Sequence, residues 1–262
     1  MKQTKTWLQS SKIYLEKRVA ILFFLGFSAG LPILLVFSTL SFWLREAGVS
    51  RANIGYFSWI ALAYAFKWIW APFVDRLAIP ILTPWLGRRR SWLMLSQVAI
   101  ILSLVGMAMS DPTANLTLFV IFSMIVAYSS ATQDIVIDAY RIESAPEKYQ
   151  AAMAASYMTG YRLAMIMAGA GSLAIAAWVS PTDDYQLSAW STSYFVMAAC
   201  MSVGIITTFI CHEPEYHDKH SEKQKHIEST LKHQHLPPFL ARFFAWLDIA
   251  VVAPFSDFFT RY

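Results

Sequence analysis

The sequence predicts an all-α integral membrane protein with six transmembrane helices, and three observations lead there. Of its 262 residues 56% are hydrophobic and only 15% are charged, where soluble domains carry about 25% charged residues. The apolar residues come in long blocks, as in helices that cross hydrocarbon, and not in the short alternating runs of a transmembrane barrel. Lys and Arg gather in every second loop, the charge asymmetry of a multi-pass chain.

The elements follow in order. Residues 1–18, "MKQTKTWLQSSKIYLEKR", are basic and amphipathic and read as an N-terminal arm. The apolar run after them is too long for a signal-peptide core and has no A-x-A-like cleavage site. A crossing needs about 20 apolar residues, which places spans over residues 19–43, 53–74, 91–110, 115–137, 151–179 and 189–211. Each has to be helical, because only a helix satisfies its own backbone polar groups in lipid. Pro32 loosens the first span. Together these spans form a six-helix bundle over 19–211. Residues 212–247 read as a His- and Lys-rich linker holding His212, His217, His220, His226, His233 and His235. That tract has no companion Cys and no i,i+4 His pair, so a solvated linker is preferred over a metal site. Residues 248–262 resemble the approach to a seventh span.

Orientation follows from the loops. Lys2, Lys5, Lys12, Lys17, Arg18, Arg76, Arg88, Arg89, Arg90, Arg141, Lys148, Lys219, Lys223, Lys225, Lys232 and Arg242 fall on one side, and Arg45 and Arg51 on the other. This bias puts the N-terminus and the linker in the cytoplasm. The formal net charge of +4 is explained by the same loops and does not indicate nucleic acid. Cys200 and Cys211 lie roughly 16 Å apart along one helix and cannot pair. There is no G-x-x-x-x-G-K-[ST] and no zincin motif, and G-x-S-x-G occurs only inside the apolar first span, at Gly26–Gly30, with no strand-to-helix elbow, so the chain reads as neither an ATP-driven motor nor an enzyme.

Charges inside spans need a reason. Asp134 and Asp138 are an i,i+4 pair, with Arg141 on the same stripe. An acid in a low-dielectric cleft can exchange a proton in the physiological range, so both are candidates for proton coupling. The other reading is an interfacial ion network, with Asp138 facing Arg88 to Arg90. Lys67 lies mid-span on a face with Tyr56, Trp59, Tyr64 and Trp70. Aromatic rings beside a cation suit a ligand with sugar rings and carboxylates; alternatively Lys67 snorkels to the interface. Arg162 lies too deep to snorkel easily, which calls for an acid partner or an anionic substrate. Ala152, Ser156, Gly160, Ala164, Ala168, Ser172 and Ala176 recur every four residues in the fifth span. Such a stripe admits a closely packed neighbour, either within the bundle or as the docking face of a non-transporting scaffold. Gly26 and Gly30 make a shorter version in the first span.

"FKWIWAPFVDR", "LGRRRSWL", "ATQDIVIDAYRIE" and "LPILLVFSTLSFWLREAGVSRANIGYFS" resemble the AmpG muropeptide permeases of the major facilitator superfamily. The signature loop is Asp75-Arg76, then Gly87-Arg88-Arg89-Arg90, separated by ten residues as in that branch. The resemblance covers nearly all of 18–262. It implies one six-helix half of a facilitator fold, with the complementary C-terminal half or self-association as a partner beside the lipid bilayer. It further implies import of muropeptides with protons across a bacterial inner membrane, driven by the proton-motive force and without a cofactor or metal. Peptidoglycan recycling and β-lactamase induction would follow. Asp75, Arg76, Gly87, Arg88, Arg89, Arg90 and Arg141 would be gating residues. Gln133, Asp134 and Asp138 look like the family's polar patch, with Lys67, Tyr64, Trp59, Gln133 and Arg162 on the substrate. The related acetyl-coenzyme A carriers give an alternative cargo.

Overall fold

A computed structural model of the chain describes residues 12–180 and 184–214 and the isolated positions 237, 240 and 244. Among the described residues every regular element is helical. Five helices are long and apolar enough to cross a membrane, at Lys17–Glu46, Arg88–Ala108, Leu116–Ser144, Glu147–Val179 and Leu187–Ile210. A bent pair, Arg51–Ala65 and Lys67–Arg76, makes the second of six spans. Most of the arm and linker, with five of the six histidines, and the whole of 248–262 lie outside the described residues.

Most helices run past the predicted ends. The fourth span continues to Ser144 instead of stopping at 137. Hydropathy marks where hydrocarbon ends, whereas helical hydrogen bonding persists through the interface. Asp138, Arg141 and Glu143 therefore ride on this extension. Caps mark other ends. Asn115 accepts a bond from the Leu118 amide at 3.0 Å before the fourth span. Gly87, at φ +87°, supplies the sharp entry to the third; only glycine takes this conformation without strain.

Two spans are broken. Pro32 precedes a break at Phe37 (φ −117°, ψ −94°) in the first span. The break frees carbonyls that a continuous helix would use, and Tyr194 of the sixth span donates its hydroxyl to Leu35 O at 2.7 Å. In the second span the helix bends by 44° just before Lys67, at Phe66 (φ −98°, ψ 9°), and Pro72 lies within the lower segment. This corrects the single aromatic face expected of that span. Tyr56 and Trp59 sit above the joint, while Trp70 sits below it.

The first and fifth spans form the most extensive helix pair. All seven positions of the four-residue stripe are buried. A Cβ on Gly26 or Gly30 would meet the carbonyls of Tyr157 and Tyr161, and one on Gly160 would meet the carbonyl of Phe23. Side-chain bonds then tie the two backbones. Ser156 donates to Val19 O at 2.9 Å, and Thr39 donates to Ala168 O at 2.8 Å inside a π-turn over Met167–Gly171. The scaffold reading loses its docking face here, because the stripe is filled by the chain's own first span. The sixth span packs on the third and first, and the third on the fourth. The second span meets chiefly the fourth and is the least covered.

At the end opposite the basic loops, Trp43 stacks on Trp190 with centroids 5.8 Å apart and 2° between planes. Trp43 Nε1 donates to the Tyr185 hydroxyl at 3.3 Å, and Trp190 Nε1 donates to Glu46. Burial pushes the Tyr185 phenol above its ordinary value, which keeps it neutral as an acceptor.

The seam yields a direct test. Gly160→Ala puts a methyl against the Phe23 carbonyl, and overpacking costs about 1–3 kcal/mol, occasionally more. The purified variant should melt several degrees below the parent in a detergent thermal-unfolding assay, with Gly171→Ala, which meets only ordinary van der Waals neighbours, as the control. Equal melting of the two would refute the close seam.

Candidate functional site

Two clusters of charge are built on this frame. The first sits at the basic end. Arg89, only 5% exposed, opens the third span. Its Nη1 reaches Asp75 Oδ1 at 2.7 Å, while Nε and Nη2 grip both carboxylate oxygens of Glu143. Arg88 reaches the same Glu143 at 3.9 Å. One guanidinium thus joins the ends of the second, third and fourth spans. The sequence expectation that Asp138 faces Arg88 to Arg90 is corrected. Asp138 pairs with Arg141, at 3.7 Å along its own helix, and is largely exposed.

The third span's N-terminus is closed by an acid from beyond the sixth span. Glu213 accepts from the Arg89 and Arg90 amides at 2.8 and 3.1 Å, where the helix dipole favours negative charge. A side chain at position 87 would collide with Glu213, a second reason for Gly87. Arg90 reciprocates by donating to Thr208 O and Phe209 O at 2.9 and 3.1 Å, covering the last carbonyls of the sixth span.

The second cluster lies within the second and fourth spans. Asp134 is ten residues from the end of its helix, about 15 Å at the standard rise. Its Oδ2 stands 3.9 Å from Lys67 Nζ, with side-chain exposures of 13% and 36%. Lys67 is the first residue below the joint of the second span. That lower segment is held by Trp70, whose Nε1 donates to Thr132 at 3.1 Å and whose ring meets Tyr128 at 5.3 Å. Tyr64 lies beside Ser130 and Asp134. From the fifth span Tyr157 and Tyr161, a tilted ring pair at 5.9 Å, also border Asp134. Tyr64 Oη, Ser130 Oγ and Asp134 Oδ1 are buried and lack a well-formed hydrogen bond among the described residues, although Tyr64 faces Ser130 and Tyr157 faces Asp134. Buried polar atoms are nearly always paired, so orphans grouped around an ion pair call for an explanation.

Gln133 is fully buried and does not join this cluster through a hydrogen bond. Its Nε2 donates to Ser28 of the first span at 3.0 Å, and Thr208 donates to Gln97 Oε1 at 2.9 Å. A Cβ on Gly204 would meet both Ser28 and Gln97, so the glycine makes room for this polar core. Arg162 is exposed and has no acid partner among the described residues. Trp59 is 70% exposed, beside an apolar groove of about 390 Å³ between the upper second span and the fourth. Lys67, Tyr64 and Asp134 are thus brought together, while Gln133, Trp59 and Arg162 lie apart. No group of three His, Cys, Asp or Glu residues suits a metal among the described residues.

Sequence reasoning missed Glu143, Glu213, Ser28, Gln97, Ser130, Tyr157 and Tyr161. Gln97 carried the same signal as Gln133, an amide inside an apolar run. The acids had none, since each follows a span end as ordinary loop acids do.

A testable consequence concerns the basic-end cluster. Charge-assisted hydrogen bonds contribute roughly 1.5–3 kcal/mol each, and the part-exposed partners of Arg89 put this cluster at the low end. Arg89→Gln should lower the melting temperature by several degrees, with Asp75→Asn losing less because Glu143 retains the guanidinium. A loss for Asp75→Asn equal to that of Arg89→Gln would contradict this ranking.

The comparisons with known proteins agree with this architecture. Residues 10–260 match the family model of the Major Facilitator Superfamily. The chain is 32% identical over 251 residues to the putative transporter AmpG 4 of Rickettsia felis, covering 96% of this chain and 54% of that one. It is 33% identical over 253 residues to the anhydromuropeptide permease of Escherichia coli K12, covering 97% and 44%. An uncharacterized protein of Haemophilus influenzae is 35% identical over 207 residues, covering 79% and 45%. The chain spans about half the length of the curated relatives it matches.

Proposed function

This chain belongs to the major facilitator superfamily, and on that premise we propose that it supplies the proton-coupled half of an importer for anhydromuropeptides in a bacterial inner membrane. The cargo is suggested by the Escherichia coli relative, named an anhydromuropeptide permease. The mechanism rests on one observation: the long, incompletely satisfied Lys67–Asp134 pair between the second and fourth spans.

A 3.9 Å contact with an orphaned carboxylate oxygen is an exchangeable arrangement, unlike the three short bonds that fix Arg89. With Asp134 ionised, Lys67 is held by it. With Asp134 protonated, the ammonium is released to a substrate carboxylate, and Tyr64 and Ser130 offer hydroxyls beside it. Proton binding and anion binding then support each other, which is thermodynamic coupling between two ligands. Tyr157 and Tyr161 offer faces on which a sugar ring can lie. Arg162 and Gln133 lie outside this exchange; the exposed Arg162 offers a second contact to an anionic cargo. Alternating access takes two bundles rocking about a site between them, so the complementary half, or a second copy, is part of the proposal.

The experiment is uptake of labelled anhydromuropeptide by a recycling-deficient strain. Asp134→Asn should abolish uphill accumulation and its dependence on external pH while retaining substrate binding. Lys67→Gln should weaken binding of the carboxylate-bearing substrate at least tenfold and that of a neutral amidated analogue little. Parental accumulation by Asp134→Asn would refute the coupling role, and equal loss for both substrates in Lys67→Gln would reduce the lysine to a folding role. Uptake of labelled acetyl-coenzyme A in place of muropeptide would assign the alternative cargo.

Orientation has its own check. The Lys and Arg bias puts the basic end inside. Asp184→Cys, in the loop before the sixth span, should react with an impermeant thiol reagent on intact cells. Labelling only after permeabilisation would reverse the topology.

A further inference from the structure

The ten residues that separate the two parts of the signature loop, Leu77 to Leu86, read LAIPILTPWL and contain no charge. Loops in water are ordinarily rich in Gly, Asn, Asp and Ser; this one has a single hydroxyl. It is nevertheless well folded. The Thr83 amide donates to Ile79 O at 2.9 Å, while the Ile79 amide donates to Thr83 Oγ1 at 2.8 Å. The Leu86 and Gly87 amides bond to Leu82 O and Thr83 O at 2.9 and 3.0 Å. Trp92 of the third span donates its Nε1 to Leu77 O at 2.8 Å, pinning the loop's root. So ordered a segment should cover its large apolar side chains, yet Ile81 is 83% and Trp85 88% exposed.

These two side chains continue an apolar surface that the spans themselves present. Ile69, Phe73 and Leu77 are exposed at four-residue intervals down the second span, and Leu95, Val98 and Leu102 share an exposed face of the third. Arginines bracket the loop, Arg76 before it and Arg88 to Arg90 after it. Of these, Arg89 and Arg90 are engaged within the bundle, and exposed Trp and aliphatic side chains are the composition of a segment lying in the head-group boundary of a bilayer, with the apolar groups in the upper acyl region. We infer that residues 77–86 form an interfacial membrane anchor: the loop rests in the lipid leaflet at the basic end, with Ile81 and Trp85 inserted. The continuity with the third span's lipid-side stripe favours lipid over a protein cover. The anchor holds the Asp75–Arg89–Glu143 cluster at a fixed depth in the membrane, whatever the cargo carried.

The test uses the full-length gene product in nanodiscs, with Cys200 and Cys211 replaced by Ser. Trp85→Cys and, separately, Ile81→Cys are labelled with an environment-sensitive fluorophore; both positions are exposed, so labelling leaves the fold undisturbed, and melting temperature verifies this. Lipids bearing a nitroxide on the upper acyl chain should quench both labels several-fold more strongly than they quench a label at Asp184→Cys. Aqueous iodide should quench both labels weakly. Full quenching by iodide with none by the lipid nitroxide would put the loop in water and overturn the anchor. Shielding from both quenchers would show a protein cover, such as the complementary half of the transporter, and would overturn it equally.

Discussion

The first and fifth spans approach until side chains no longer separate them, and carbonyls of one helix fill the places of missing Cβ atoms on the other. In a membrane there is no hydrophobic drive between helices, so such close packing and the hydrogen bonds it permits hold them together. The rest of the half-bundle is arranged around that seam. The fifth span's position sets Tyr157 and Tyr161 beside Asp134. The first span carries Ser28 to Gln133 and lends Leu35 O to Tyr194. The second span is outside this arrangement and touches the bundle mainly through the fourth.

The two charge clusters differ in kind. Arg89 has short bonds to two carboxylates near the interface, where water can reach the acids' outer edges. A planar guanidinium held on several edges is rigid, and this suits a brace between three helix ends. Lys67 and Asp134 meet once, at longer range, inside the spans, with a buried oxygen left over. Such a pair is costly to bury and contributes little rigidity. The first geometry suits a structural brace, and the second is the one on which the proposed exchange rests.

The number and positions of the spans were legible in the sequence because hydrocarbon imposes a length and a composition on every crossing. The small-residue stripe was equally legible as a packing face, but not its partner. The stripe says how near a helix can come and nothing about which helix comes. Lys67 and Asp134 stood out as charges in apolar runs, yet their pairing depends on the joint at Phe66, which no glycine or proline at that point announces. Gln133 is a different case. Its place in the site came from the family resemblance, and the structure gives it a neighbour, Ser28, that satisfies half of its amide. Glu143 and Glu213 lie beyond the apolar runs, where an acid looks like any other surface acid until the arginines opposite are known.

The repeat of the stripe has a geometric result. Four residues exceed the 3.6 of an α-helical turn, so each step in the α-helical stretch advances the small positions by roughly 40° around the axis, until the π-turn over Met167–Gly171 interrupts the advance. A face drawn through them is a slow screw thread, not a straight line. Near its start the thread meets the first span, with Ser156 on Val19 and Gly160 on Phe23. By Ser172 it has turned toward the sixth, where Ser172 and Ser193 lie 2.6 Å apart. One helix thereby engages two neighbours in succession along its length. A rotation of the fifth span about its own axis would disengage both at once.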